Sequence, residues 1–200
     1  MAMATRSKTK THDELTLKQP RVLRELEQIA SLLRLDYAQI KEYEPEERTT
    51  RLEVMKRHLI IGEVVMQYTL IDEYLSTRLC DYFFGRGQNY IKLWKTKKFR
   101  NFNYYVLESL SLMEKLRFVK AITKLPKSVA ADIERINSLR NGLAHAFFPE
   151  NLRAAKPVYK GKNIFTLEGI RLFVDDMVKL FCYFHGIRAS KADAGKEPIT

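Results

Sequence analysis

The chain has only two cysteines in 200 residues, Cys80 and Cys182, and each lies in an apolar helical pattern. Disulfide-stapled secreted domains carry more cysteines at closer spacings, so this scarcity favours a reduced, cytoplasmic protein. No apolar run approaches the roughly 18 residues that a membrane-spanning helix needs, and the first residues lack the apolar region of a secretion signal. We therefore expect neither secretion nor a membrane partner.

The sequence also lacks the motifs of several common enzyme classes. It contains no glycine-rich phosphate loop, no dinucleotide-binding fingerprint, no serine hydrolase elbow and no H-E-x-x-H zinc motif. Its histidines are dispersed, and none has a second histidine or cysteine at the spacing of metal ligands. We expect no metal site and no other cofactor.

Acidic residues are in the minority. The chain has 35 Lys and Arg residues against 24 Asp and Glu residues, a formal net charge of +11, and its sequence pI is about 9.6. Such a charge balance favours polyanionic partners, such as nucleic acid or an anionic membrane surface. With 46% hydrophobic residues, the chain is long enough for one globular domain with a sizeable core.

Helical periodicity dominates the apolar pattern. It predicts five helices, at residues 20–43, 50–84, 106–123, 128–148 and 166–186. Residues 157–165 alternate about a glycine-containing turn and predict a small β-hairpin. We expect an all-α bundle at 17–187, which includes an extra N-terminal helix, between a disordered basic leader at 1–16 and a flexible tail at 188–200.

The longest predicted helix, residues 50–84, is apolar on two opposite sides, so it is either central to a bundle or shared with a second protomer. The two sides carry Leu52, Met55, Leu59, Met66 and Leu70, and Ile61, Val65, Tyr68, Leu75 and Leu79. Glu63 and Glu73 fall on or near the first side. Either carboxylate is a candidate partner for a buried cation, with the protein surface as an equal alternative.

One cation interrupts the apolar stripe of the helix predicted at 128–148. Arg140 falls near the middle of that stripe, and burying an unpaired guanidinium would be prohibitive. Arg140 must therefore meet a carboxylate, such as that of Glu63 or Glu73, reach a cleft, or bind an anion.

Asn141 and His145 follow Arg140 closely and, being four residues apart, share one flank of the helix. Cleavage of RNA without a metal needs a base for the 2′-hydroxyl, an acid for the leaving oxygen and a cation for the phosphate oxygens. Histidine and arginine can supply these groups. The alternative is structural: Arg140 forms a buried ion pair and His145 stabilises the end of the helix.

The string Arg140-Asn141 followed by His145 matches the R-N-x(3–5)-H motif of the HEPN superfamily, which residues 52–184 resemble. Many HEPN domains are metal-independent endoribonucleases, and two protomers usually bring two motifs into one cleft. The resemblance implies a homodimeric endoribonuclease with Arg140, His145 and Asn141 as its catalytic residues. Some members carry a tyrosine, open to modification, two residues after the histidine, but Phe147 stands there in this chain.

The same resemblance implies a biological setting and an alternative function. A toxin or defence protein with RNA as substrate would be controlled by an antitoxin or another regulatory protein. Members that no longer cleave RNA act as RNA- or nucleotide-binding or regulatory modules, which is the alternative for this chain.

Residues 90–105 interleave basic and aromatic side chains. Six of them suit RNA, because cations neutralise phosphates and an aromatic ring stacks on bases: Lys92, Trp94, Lys95, Lys97, Lys98 and Arg100. The alternative, which we favour at this point, is a connector whose aromatic residues close one end of the bundle while its lysines are solvated.

Overall fold

The computed structural model describes residues 12–87, 89–145 and 157–186. These ranges are predominantly helical, so the all-α class is confirmed. The elements in chain order are α1 His12–Leu32, α2 Tyr37–Ile40, α3 Pro45–Phe84, α4 Tyr90–Trp94, α5 Lys97–Phe102, a π-helical turn Asn103–Leu107, α6 Leu112–Ile122, α7 Lys127–His145, β1 Val158–Tyr159, β2 Lys162–Asn163 and α8 Leu167–His185. The tail predicted at 188–200 lies outside the described residues.

Contacts divide the chain into two compact units, Met1–Arg57 and His58–Thr200. In the first unit, α1 begins at His12, so the end of the leader predicted at 1–16 is helical. Five apolar side chains of α1 are more than half exposed: Val22, Leu23, Leu26, Ile29 and Leu32. The apolar stripe of α1 is thus left largely in solvent.

The helix predicted over residues 20–43 is interrupted, so that prediction is wrong in its second half. Arg34 adopts a left-handed backbone with φ 56°, and the Asp36 carboxylate accepts a hydrogen bond from the Ala38 amide at 2.8 Å. An aspartate in this position satisfies an amide that the start of a helix leaves free. It therefore favours a new helix, α2, over the continuation of α1.

The unbroken helix predicted over residues 50–84 is confirmed and is longer than expected, because α3 already begins at Pro45. Proline suits the first position of a helix, where no amide hydrogen is needed. The buried stripe of α3 consists of Ile60, Val64, Ile71, Leu75 and Leu79, so of the second predicted apolar side only Leu75 and Leu79 are buried, and its Val65 is 47% exposed. On the first predicted side, Leu59 is 63% and Met66 59% exposed.

The helix predicted over residues 106–123 begins late, at Leu112, because Ser111 and Glu114 form a capping box. The Ser111 hydroxyl accepts a hydrogen bond from the Glu114 amide at 3.4 Å, and the Glu114 carboxylate accepts one from the Ser111 amide at 2.8 Å. This reciprocal pair satisfies two amides and fixes a helix start. The preceding residues form the π-helical turn instead.

The core of the second unit is one cluster of apolar side chains from α3, α6, α7 and α8, with contributions from α5, the π-helical turn and the hairpin. The two strands of the predicted hairpin are antiparallel, with Val158 opposite Asn163. The hairpin lies directly against the first turn of α8, since a Cβ atom on Gly169 would be 2.1 Å from the carbonyl oxygen of Asn163. Only glycine fits there. Both the hairpin and α8 also contact α7, which carries the Arg-Asn-His motif.

Candidate functional site

The orientation of α7 is set by its buried leucines and isoleucines. Ile133, Ile136, Leu139 and Leu143 are almost fully buried in the core of the second unit. Arg140 is exposed, so the expectation that it lies near the middle of the apolar stripe is wrong. Leu139 and Leu143 continue the stripe in its place, and Arg140 lies at its edge, from where a long side chain can reach solvent.

The guanidinium group of Arg140 contacts an aromatic ring and an amide. Its Cζ atom lies 5.3 Å from the centre of the Tyr68 ring on α3, which is the geometry of a cation–π contact. Its Nη1 atom donates a hydrogen bond to Oδ1 of the neighbouring Asn141 at 3.3 Å. Tyr68 therefore supports the guanidinium from one face and leaves most of its N–H groups free.

Neither glutamate that was predicted as a partner pairs with Arg140. Glu63 instead accepts a hydrogen bond from Nε2 of Gln67 at 2.8 Å, and Glu73 is exposed. Within the described ranges, Arg140 has no carboxylate within ion-pair distance. Its positive charge is thus available to an anion from outside the chain.

The third member of the motif, His145, is the last residue of α7. Its side chain lies outside the described residues, as does Phe147. Asn141 is exposed, and Gly142 has no described atom within 4 Å of the position that a Cβ would take. The described surface of α7 is therefore open at Gly142, which is three residues from His145 and about 60° from it around the helix.

The connector of α4 and α5 has two kinds of aromatic residue. Phe99 is almost fully buried and packs against Phe84 at the end of α3, with ring centres 5.2 Å apart. By contrast, Trp94, Tyr104 and Tyr105 are 49%, 64% and 70% exposed. Phe99 thus closes the end of the bundle, as a connector would, whereas Trp94, Tyr104 and Tyr105 are exposed to solvent.

A buried charged network, which was not predicted from the sequence, joins the hairpin to α8. Asp176 is 1% exposed, and its carboxylate accepts hydrogen bonds from the Tyr159 hydroxyl at 2.9 Å and from the ammonium groups of Lys160 and Lys179 at 2.5 and 3.1 Å. An aspartate on the apolar stripe of α8, just before Met177, was the signal in the sequence.

This network shifts the titration of its members. Burial by itself would raise the pKa of Asp176, but the hydrogen bonds from Lys160, Lys179 and Tyr159 together hold that pKa below its ordinary value. Burial, and then the hydrogen bond to Asp176, raise the pKa of the Tyr159 phenol. A cavity of about 290 Å³ beside it is lined by Ala131, Glu134, Arg135, Ser138, Val158, Tyr159 and Lys160.

Inside this cavity the positive charges are already balanced. Arg135 is paired with Asp132, Lys160 with Asp176, and Glu134 contributes a further carboxylate. The cavity is therefore a weaker site for an anion than the exposed guanidinium of Arg140.

In the part of the chain that the structure describes, no three His, Cys, Asp or Glu side chains are grouped closely enough to hold a metal ion. None of the helices in these ranges combines the length and the apolarity that crossing a membrane requires.

Comparison with known proteins returned no match: no family model fits the chain, and no curated protein and no solved structure is significantly similar to it. A function must therefore be proposed from the residues themselves.

Proposed function

We propose that the chain is a metal-independent endoribonuclease of the HEPN type, with Arg140, Asn141 and His145 as its catalytic residues. The observation that carries the proposal is the exposed Arg140 guanidinium, which is supported by the ring of Tyr68 and has no carboxylate partner among the described residues. An arginine in this state keeps the planar N–H fork that matches a phosphate group.

The proposed reaction is an internal attack within the RNA strand. The 2′-oxygen forms a bond to phosphorus, the bond from phosphorus to the 5′-oxygen breaks, and the products are a cyclic phosphate and a free 5′-hydroxyl. His145 takes the proton of the 2′-hydroxyl, and Arg140 neutralises the charge that grows on the non-bridging oxygens. Asn141 holds Arg140 in place through its hydrogen bond.

The leaving 5′-oxygen needs a proton from an acid, and one motif supplies one histidine. In the proposal a second protomer supplies the other histidine, so the active site is shared in a homodimer.

The exposed apolar side of α3 is not the contact that assembles this dimer. Met66 and Leu70 are each two residues from Tyr68, about 200° around the helix, so they face away from Arg140. The two-fold contact therefore involves α7 itself.

The biological setting is part of the same proposal. A cytoplasmic toxin or defence protein would act on cellular RNA and would be held inactive by an antitoxin or another regulatory protein. This setting depends on the resemblance alone.

Cleavage of a labelled RNA in excess EDTA tests the proposal. We expect the wild-type chain to cleave it, and the Arg140→Ala and His145→Ala variants to be at least about 100-fold slower, which is the usual effect of losing an acid–base or charge-stabilising group. Arg171→Ala is the matched control, because it removes another exposed arginine of the second unit. Mixing the two inactive variants should restore part of the activity if the site is shared.

Two outcomes would contradict the proposal. Equal cleavage by the wild-type chain and both variants would identify a contaminating nuclease. No cleavage by the wild-type chain, with RNA still bound, would favour the alternative, a non-catalytic RNA- or nucleotide-binding or regulatory module. The net charge of +11 is compatible with either function.

A further inference from the structure

The positive charge of the chain is concentrated in one segment. Residues 86–107 contain six Lys and Arg residues and no Asp or Glu residue, so this segment accounts for more than half of the net charge of +11. The six are Arg86, Lys92, Lys95, Lys97, Lys98 and Arg100, and all of them are exposed. A cluster without interspersed carboxylates attracts anions instead of cancelling its own field.

The structure gives two of these cations a role in the fold. The Nζ atom of Lys98 lies 5.5 Å from the centre of the Phe84 ring. Arg100 donates hydrogen bonds from Nη1 to the carbonyl oxygens of Trp94 and Lys95, at 3.3 and 3.1 Å, and so caps the end of α4.

Three lysines have no such role. The side chains of Lys92, Lys95 and Lys97 make no ion pair with any carboxylate that the structure describes. Lys92 lies on α4, Lys95 directly follows the end of α4, and Lys97 begins α5, a short helix that contacts α4. Their charges are therefore free for a ligand.

Exposed aromatic rings accompany these lysines. Trp94 lies between Lys92 and Lys95, and packs on Phe99 with ring centres 5.3 Å apart while about half of it stays in solvent. Tyr104 and Tyr105 form a T-shaped pair at 4.9 Å on the π-helical turn, and both are mostly exposed. Exposed aromatic side chains and free cations in one segment suit a single strand of nucleic acid, because bases stack on aromatic rings while phosphates contact the cations.

We propose that this surface, which we call the connector surface and define by Lys92, Trp94, Lys95, Lys97, Tyr104 and Tyr105, binds single-stranded RNA. The choice of RNA rests on the proposed function, whereas the chemistry of phosphates and unpaired bases comes from the surface itself. Paired bases hide their faces, so a duplex is bound less tightly. An anionic membrane fits less well, since α4 and α5 have only five and six residues and no long amphipathic face.

Fluorescence anisotropy with a labelled 12-nucleotide 2′-O-methyl RNA tests the inference. This strand lacks the attacking 2′-hydroxyl, so binding is measured whether or not the chain cleaves RNA. In a Lys92→Gln, Lys95→Gln, Lys97→Gln variant we expect affinity to fall at least about tenfold at low salt. The slope of the logarithm of the binding constant against the logarithm of the salt concentration should become shallower by about 2, because each of the three lost phosphate contacts contributes roughly 0.7 to it.

A matched control removes the same charge from other places. Lys56, Lys120 and Lys162 each pair with a glutamate, at 2.6, 3.6 and 2.8 Å. Replacing all three by glutamine should leave the salt dependence of RNA binding unchanged.

A second variant tests base stacking. Tyr105→Ala should weaken RNA binding at least about fivefold, which is the effect of losing one contact between a base and an aromatic ring. Tyr37→Ala, at another exposed tyrosine, should have no effect.

The outcomes separate this inference from the proposed function. Binding of the 2′-O-methyl strand by a chain that cuts no RNA would support the connector surface and contradict the nuclease. Wild-type binding and cleavage by the triple lysine variant would overturn the connector surface and leave the nuclease intact. Equal affinity for the complementary duplex, or a lysine-dependent affinity found only for vesicles of anionic phospholipid, would also overturn it.

Discussion

Gly142 offers a way to change the proposed active site without weakening the fold. It lies inside α7, between Asn141 and His145, and a Cβ at this position would meet no described atom within 4 Å. Glycine in a helix interior is about 0.5–1 kcal/mol less favourable than alanine. Gly142→Ala should therefore raise the free energy of unfolding by about that amount, which corresponds to roughly 1–4 °C in Tm for a chain of this size.

The same substitution should slow cleavage. Gly142 faces away from Arg140, but it is three residues from His145 and about 60° from it around the helix. A methyl group here would therefore stand beside the proposed general base, where the proposal requires the RNA backbone and the α7 helix of the partner to approach closely. We expect a loss of about tenfold or more in the rate of RNA cleavage in EDTA, the scale on which small displacements in an active site act. Denaturant unfolding followed by the fluorescence of Trp94, the single tryptophan, gives the stability.

Gly62 provides the matched control. It also lies in a helix interior, that of α3, and has no described atom within 4 Å of its Cβ position. Gly62→Ala should stabilise the chain by the same amount, about 0.5–1 kcal/mol, and leave cleavage unchanged. A Gly142→Ala variant that is more stable and fully active would refute the close approach at α7. Lost activity in Gly62→Ala would instead place the functional contact on α3.

Two further predictions concern single side chains. Arg140→Lys should keep the fold but lose most of the cleavage activity, because an ammonium group cannot donate two parallel hydrogen bonds to a phosphate, and full activity would contradict this role. Asp176→Asn should lower the free energy of unfolding at pH 7 by about 2–4 kcal/mol, since it removes the charged acceptor of Tyr159, Lys160 and Lys179. The pKa of Asp176 is lowered in the folded chain, so its contribution is present above about pH 4 and is lost as the pH falls further. Urea titrations of both chains should converge at low pH, and a gap that stays constant would contradict this prediction.

Elements with local signals at both ends could be predicted from the sequence. For α8, Thr166 accepts a hydrogen bond from the Gly169 amide at 3.2 Å, and Gly186 ends the helix with φ 67°. The residue type predicts each role, because the threonine hydroxyl can accept a hydrogen bond from a free amide at a helix start, and glycine adopts a left-handed backbone without strain. The hairpin was predictable from its glycine-containing turn, and the body of α3 from its unbroken apolar pattern, although not its start at Pro45.

Where apolar periodicity and capping residues disagree, periodicity alone predicted the wrong helix boundaries. Apolar residues keep helical spacing across Asp36 and across Ser111, yet the chain starts a new helix after each of them. A cap satisfies amides at the start of a helix, whereas apolar spacing says only which side of a helix is buried. The serine and glutamate of the capping box at α6 were readable in the sequence and carried the correct boundary.

The candidate residues of the site could be named from the sequence, but their environment could not. The spacing of Arg140, Asn141 and His145 is a property of one helix, whereas the ring that supports Arg140 belongs to Tyr68, 72 residues earlier in the chain. Which of two neighbouring positions continues a buried stripe depends on the packing of α7 against other helices. No pattern within α7 specifies that packing.

The exposure of Arg140 changes the weight of the structural alternative for the motif. A buried ion pair would have made Arg140 part of the core, and removing one partner of such a pair typically destabilises a protein by about 3–5 kcal/mol. An exposed cation–π contact contributes only about 0.5–1 kcal/mol. Loss of cleavage in Arg140→Ala can then be attributed to chemistry and not to unfolding, provided that its free energy of unfolding stays within about 1 kcal/mol of the wild-type value. A larger loss of unfolding free energy would mean that the Arg140 guanidinium is buried when the protein is in solution. The charge that is proposed to bind the phosphate would then already be paired inside the chain.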